Sequence, residues 1–186
     1  MLPYLFVLLA IFVRFLPFIA PGNFIAHAWH FTPLAASLLF FGARGSRRQM
    51  WIPLTMLMAT DVVLTKFIYG APLTWDQLVV WMWYAGILWL GTNLREKSGV
   101  LRVIAAALTS SVSFFVLSNF ATWAAWPGMY PRNFGGLKTA YIAAIPFYRN
   151  TLVSDLFFSV AFFGTPLLVD ALSRAHQRTS DRTAAI

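Results

Sequence analysis

Residues 2–19 read LPYLFVLLAIFVRFLPFI, an apolar run interrupted by one charge, Arg14. A stretch of this kind is close to the roughly 20 residues an α-helix needs to cross the hydrocarbon of a bilayer. Further apolar runs follow at 32–43, 51–68, 78–92, 103–120 and 151–172, parted by short connections such as ARGSRRQ, GAPLTWDQ and NLREKSG. Inside hydrocarbon every backbone N–H and C=O must be satisfied within the spanning segment itself, so each run is predicted to be a helix. The predicted fold class is therefore an all-α integral membrane protein, with about six transmembrane helices in one compact bundle. Only 11% of the 186 residues are charged, against roughly 25% in a soluble globular domain. One transmembrane domain over 1–172 accounts for the chain, and 173–186 is predicted to be a polar, disordered cytoplasmic tail.

The formal charge of +8 could suggest nucleic acid, but its placement gives another reason. Arg44, Arg47, Arg48, Arg95, Lys97, Arg102, Arg174, Arg178 and Arg182 follow the second, fourth and sixth runs; Lys66, Arg132, Lys138 and Arg149 fall on the opposite side. Basic residues concentrate in cytoplasmic connections, so six spans with both termini cytoplasmic explain the distribution and no nucleic-acid partner is expected. The first helix is predicted to be retained. It lacks a basic leader, Arg14 interrupts it, and Pro21 follows Ala20 where cleavage would fall.

With this topology the outer face collects 21–30 (PGNFIAHAWH), 69–77 (YGAPLTWDQ) and 122–150. The third includes most of SNFATWAAWPGMYPRNFGGLKTAY (118–141), whose two Pro and three Gly argue against one continuous helix. A ligand, if there is one, is expected on this face. Trp29, Trp75, Trp123, Trp126 and Tyr130 are either headgroup-level anchors or walls of a pocket.

An ionisable group within a span is expensive unless it meets a partner or water. Arg14 lies about twelve residues into its run, roughly 18 Å at 1.5 Å per residue, and Asp61 lies at similar depth in the third. Three readings stand for Arg14, Asp61 and Asp155: interior ion pairs, foremost Arg14 with Asp61; a polar group lining a ligand cavity; or a proton or coupling-ion site. Thr65 and Ser159 follow Asp61 and Asp155 by four residues, one helical turn on the same face. Asn119, Arg149, Asn150 and Asp155 make a candidate polar floor beneath the outer loops, with His30 as a further contact. His27 and His30 are too few for a metal site, there is no cysteine, and no hydrolase motif occurs. No metal, cofactor or enzymatic activity is predicted.

The runs HFTPLAASLLFFGA (30–43), PLTMLMATDVVLTKFIYG (53–70), SNFATWAAWPGMYP (118–131) and GLKTAYIAAIPFYRNTLVSDLFFSVAFFG (136–164) resemble an uncharacterised bacterial six-helix membrane family, a domain of unknown function. Size, six spans and cytoplasmic termini are also similar to the S components of energy-coupling-factor (ECF) vitamin transporters. That resemblance implies a bacterial inner-membrane protein that binds a vitamin-like small nutrient from the outer face, and that partners the lipid bilayer and an energy-coupling transmembrane subunit with ATPases. S components commonly carry a small-xxx-small docking stretch in the first helix, where this chain reads LLAIFVRFL, and the cobalamin-transporting type uses a cysteine absent here. The alternatives are an accessory or assembly subunit of a larger membrane complex without a small ligand, and an intramembrane enzyme using Asp61 or Asp155.

Overall fold

A computed structural model describes residues 1–19, 31–95 and 99–184. Among them six α-helices form: α1 (Leu2–Ile19), α2 (Leu34–Arg44), α3 (Trp51–Val63), α4 (Asp76–Thr92), α5 (Val100–Ala125) and α6 (Phe134–Ala184). A short 3-10 turn at Arg47–Gln49 leads into α3, and a π-helical turn at Leu64–Ile68 ends it. No strand is present among the described residues.

Four helical stretches are long and apolar enough to cross a membrane: Leu2–Ile19, Arg47–Ile68, Val100–Ala125 and Phe134–Arg174. Their outward faces carry large apolar side chains, among them Leu5, Leu8 and Phe12 on α1, Val112 and Val116 on α5, and Val153, Phe157 and Val160 on α6. Exposed apolar surface on this scale is unfavourable in water and ordinary against lipid. Of the six predicted spans, the second differs in kind. With 11 residues, α2 rises only about 16 Å, roughly half the hydrocarbon thickness. It is instead the enclosed centre of the fold, buried from Ala35 through Ala43 and packed against α1, α4, α5 and α6.

Small residues let α2 sit so deep. A Cβ on Gly42 would come within 2.2 Å of the Leu88 carbonyl oxygen, and one on Gly91 within 2.4 Å of the Leu39 carbonyl oxygen. The two glycines face each other across the α2–α4 crossing, where backbones pack directly, as small residues permit between membrane helices. On the other side Phe6 of α1 stacks on Phe162 of α6, with ring centroids 3.8 Å apart, and Phe40 of α2 meets Phe6 and Phe163 edge-on.

The largest difference from the sequence reading is α6. A break within 122–150 and a final span over 151–172 were the expectation, whereas the helix runs 51 residues from Phe134 with Pro146 and Pro166 inside it. Proline removes one helical hydrogen bond and crowds the preceding turn, but membrane helices tolerate this where neighbours and hydroxyl side chains compensate. The segment predicted as a disordered tail is helical as far as Ala184. Beyond Pro166 it holds neither Gly nor Pro to stop the helix. At the other end α5 continues past Phe120 to Ala125, so the turn to α6 is confined to 126–133.

The glycine crossing yields a matched comparison. Gly91→Leu forces α2 and α4 apart and should lower stability by roughly 1–3 kcal/mol or more through overpacking. Gly86 lies on the same helix with open space around its Cα, so Gly86→Leu should leave the melting temperature in detergent unchanged or slightly raised. Equal melting temperatures for the two variants would contradict the crossing.

Candidate functional site

Alternation along the chain brings the C-terminal ends of α1, α3 and α5 and the N-terminal ends of α2 and α4 to one end of the molecule. A cavity of about 660 Å³ opens there. Its base is the start of α2 (Leu34 and Ala35), and its walls come from α1, the end of α3, α4, Phe114 of α5, and Thr151 and Asp155 of α6. The shortness of α2 creates this space, because the taller helices continue past the point where α2 begins.

The π-helical turn shapes one wall. Tyr69 N–H donates to the Leu64 carbonyl at 2.9 Å, Ala71 N–H donates to the Thr65 carbonyl at 2.9 Å, and Gly70 takes the left-handed conformation with φ 62°. These bonds turn the chain across the opening, so that Leu64, Thr65, Tyr69, Ala71, Pro72 and Thr74 all face the cavity. Single π turns recur at functional sites because the extra residue re-aims the side chains that follow.

Two polar centres lie within the walls. The first is Asp61. Its Oδ1 accepts from Arg14 Nη2 at 2.5 Å and from the Tyr84 hydroxyl at 3.3 Å, and its Oδ2 accepts from Trp81 Nε1 at 3.0 Å. One carboxylate thus joins α1, α3 and α4, and its charge is balanced by Arg14. Arg14 lines the cavity, but its Nη1 is enclosed and has no hydrogen-bond partner among the described residues.

The second centre is Asp155, only 3% exposed. Its Oδ2 accepts from Ser111 Oγ at 2.5 Å, joining α6 to α5. Its Oδ1 accepts no hydrogen bond from the described residues, and no cation among them pairs with it. Next to it, Ser154 Oγ donates to the Thr32 carbonyl at 2.8 Å and fixes α6 against the residues that precede α2.

At the mouth Trp126 Nε1 donates to Asp76 Oδ2 at 3.2 Å, and Thr74 Oγ1 bonds the other oxygen of Asp76. This ties the end of α5 to the start of α4 and holds the Trp126 ring over the opening, with Gln77 beside it.

Of the residues singled out in the sequence, Arg14, Asp61, Trp126 and Asp155 line this cavity. Asn119 does not join them. Its amide donates to the Phe115 carbonyl one turn back, and it faces a separate space of about 250 Å³ between α5 and α6. Trp123 donates to the Pro131 carbonyl in the α5–α6 turn, and neither it nor Tyr130 lines either space. Arg149 and Asn150 are exposed, so the expected floor of Asn119, Arg149, Asn150 and Asp155 is not assembled. At 100° per residue on an uninterrupted α6, Arg149 points about 120° and Asn150 about 140° away from Asp155. Thr151, four residues before Asp155, shares its face and lines the cavity. His27, Trp29, His30 and Lys97 lie outside the described residues. Trp75 is exposed at the start of α4.

The sequence reading passed over Trp81 and Tyr84, which resemble other aromatics in an apolar run. Their i, i+3 spacing on α4 was the available signal, since it places an indole N–H and a phenol on one face at the depth of Asp61. Ser111 was hidden among the hydroxyls of α5. No group of three or more His, Asp or Glu that could hold a metal occurs among the described residues.

A family model covers residues 1–178. The chain belongs to DUF6580, a family of unknown function. No curated protein and no solved structure matches it. Membership of an uncharacterised family is thereby established, while the likeness to S components rests on size and helix number alone.

The Asp61 centre makes a direct prediction about stability. Arg14→Met leaves a buried carboxylate with neutral donors only and should destabilise the protein by roughly 3–5 kcal/mol, whereas Arg14→Met combined with Asp61→Leu should recover most of that loss. Unfolding in mixed micelles would measure both, and a single variant as stable as the unaltered protein would remove the pair from its structural role.

Proposed function

We propose that this protein is a membrane-embedded binding protein for a vitamin-like small nutrient, of the S-component kind, in the bacterial cytoplasmic membrane. With both termini cytoplasmic, as the distribution of basic residues favours, the cavity opens to the outer face. The observation that carries this reading is the cavity itself. Its volume of about 660 Å³ lies within the 300–1,000 Å³ typical of small-molecule sites, and it has their usual composition of apolar and aromatic walls with few polar groups.

The competing readings fit less well. An accessory subunit that binds nothing small has no use for an open cavity of this size. An intramembrane enzyme would need a carboxylate free to move protons. Both oxygens of Asp61 are occupied and its charge is matched by Arg14, and Asp155, whose Oδ1 is open, has no His, Glu or second unpaired Asp beside it among the described cavity residues. The departure in α1 also bears on partners. Arg14 stands where S components have a small docking residue and is engaged with Asp61, so a coupling subunit with its ATPases would have to dock elsewhere.

Native mass spectrometry of gently purified protein, followed by thermal-shift titration with vitamins and their precursors, tests the reading. A stoichiometric small-molecule adduct is expected. A matching ligand at a hundred times its Kd should add about 2.7 kcal/mol of stability, and Trp126→Ala should reduce that gain by opening the mouth. Absence of any adduct and of any shift, with a protein partner co-purifying, would favour the accessory-subunit reading.

A further inference from the structure

The cavity's charges do not cancel, and this bears on what it takes. Among the described residues that line it, Arg14 and Asp61 neutralise one another at 2.5 Å, while Asp155 has no opposite charge. At the mouth, Asp76 is held by Trp126 and Thr74, both neutral donors. The cations Lys66, Arg132 and Arg149 are exposed and outside the lining. The start of α2 contributes about half a positive charge at the base, but no amide of α2 donates to Asp155. Among the described lining residues, Asp155 is therefore the one acidic side chain without a counter-charge.

A carboxylate inside a span needs a compensating partner. Asp155 is 3% exposed, is fixed through Oδ2 by Ser111, and presents Oδ1 without a hydrogen bond from the described residues. No described residue supplies a cation to it, and a positively charged group on the ligand would compensate it. The surroundings suit a positive charge in a second way. Phe31, Trp83, Tyr84, Phe114 and Trp126 line the same space, and aromatic faces attract ammonium groups, most strongly where water is excluded.

Building on the binding role proposed above, we infer that the ligand is an organic cation. It is an amine-bearing molecule with a flat apolar body, and its ammonium group donates to Asp155 Oδ1 while its ring lies among the aromatic walls. The Arg14–Asp61 pair takes no ligand charge and serves as a neutral, rigid wall. Asp76 at the opening adds attraction along the entry route, as negative groups at the mouth of a cleft concentrate cations there.

The test uses two matched sets of probes on the full chain in nanodiscs: pyridoxamine, pyridoxine and 4-pyridoxate; and tryptamine, tryptophol and indole-3-acetate. Within a set the ring is constant and one substituent changes from ammonium to hydroxyl to carboxylate. In at least one set the amine should bind at least about tenfold more tightly than its alcohol or acid, the discrimination expected when a charge-assisted hydrogen bond is gained or lost. Asp155→Asn should abolish the preference, and Asp155→Glu, which restores the charge, should recover it. The Glu variant keeps the comparison decisive if the Asn variant folds poorly. Equal binding within the sets, or a preference that survives Asp155→Asn, overturns the inference. A small-molecule adduct that carries no basic group, found by native mass spectrometry while neither amine binds, overturns the cation inference and leaves the binding role standing. No adduct and no binding of any probe overturns both.

Discussion

The carboxylate of Asp61 is the interaction on which the arrangement of α1, α3 and α4 depends. Four donors and acceptors from three helices converge there: Arg14 from α1, Asp61 from α3, and Trp81 and Tyr84 from α4. Between membrane helices the hydrophobic effect offers no preference for one apolar contact over another, because lipid tails are as apolar as leucine. Register must therefore come from packing shape and from polar groups with nowhere else to go. Removing any member of this cluster leaves another buried without its partner, and that asymmetry enforces the register more than the pair's own attraction does.

Shape supplies the other half. α2 is too short to span a bilayer and too buried to meet lipid, so its position is set by how closely α4 can approach. Gly42 and Gly91 allow backbone to touch backbone. The same shortness leaves the end beyond Leu34 unfilled by the described helices. The cavity thus follows from the core packing, because the element that fills one half of the molecule stops where the cavity begins.

Much of this was legible in the sequence, and the misses have identifiable causes. The bounds of α1 coincide with its apolar run, Pro53 falls in the first turn of α3 where its missing N–H matters little, and Arg14, Asp61 and Asp155 attracted notice because charges in spans are rare. α6 was misread because Pro146 and the glycines of 118–141 look like breakers, whereas in lipid a helix can continue through proline. That single error moved Arg149 and Asn150 into the site. A break resets helical phase, so residues on either side of it can be placed together, but on a continuous helix their directions are fixed. The aromatics posed a different difficulty. Trp123 and Trp126 stand three residues apart in the same run, yet only Trp126 lines the cavity, because Asp76 and the end of α5 position it there, and both depend on contacts remote in sequence.

The economy of polar groups inside the molecule gives Asp155 its meaning. Most buried polar groups within the helices are engaged in joining elements or in bonding back to their own helix: Trp83 to Ser113 between α4 and α5, Ser154 to the Thr32 carbonyl, Ser110 to Ala106 one turn back. Among the described residues Arg14 Nη1, Arg95 Nε and Ser159 Oγ are also buried without a hydrogen bond, each at a cost in a low-dielectric interior. Asp155 Oδ1 differs from these in belonging to a carboxylate that lines the cavity, sits on the helix face shared with Thr151, and is held in place by Ser111. An unused bond at a rigidly fixed position is what a site pre-organised for a partner would show.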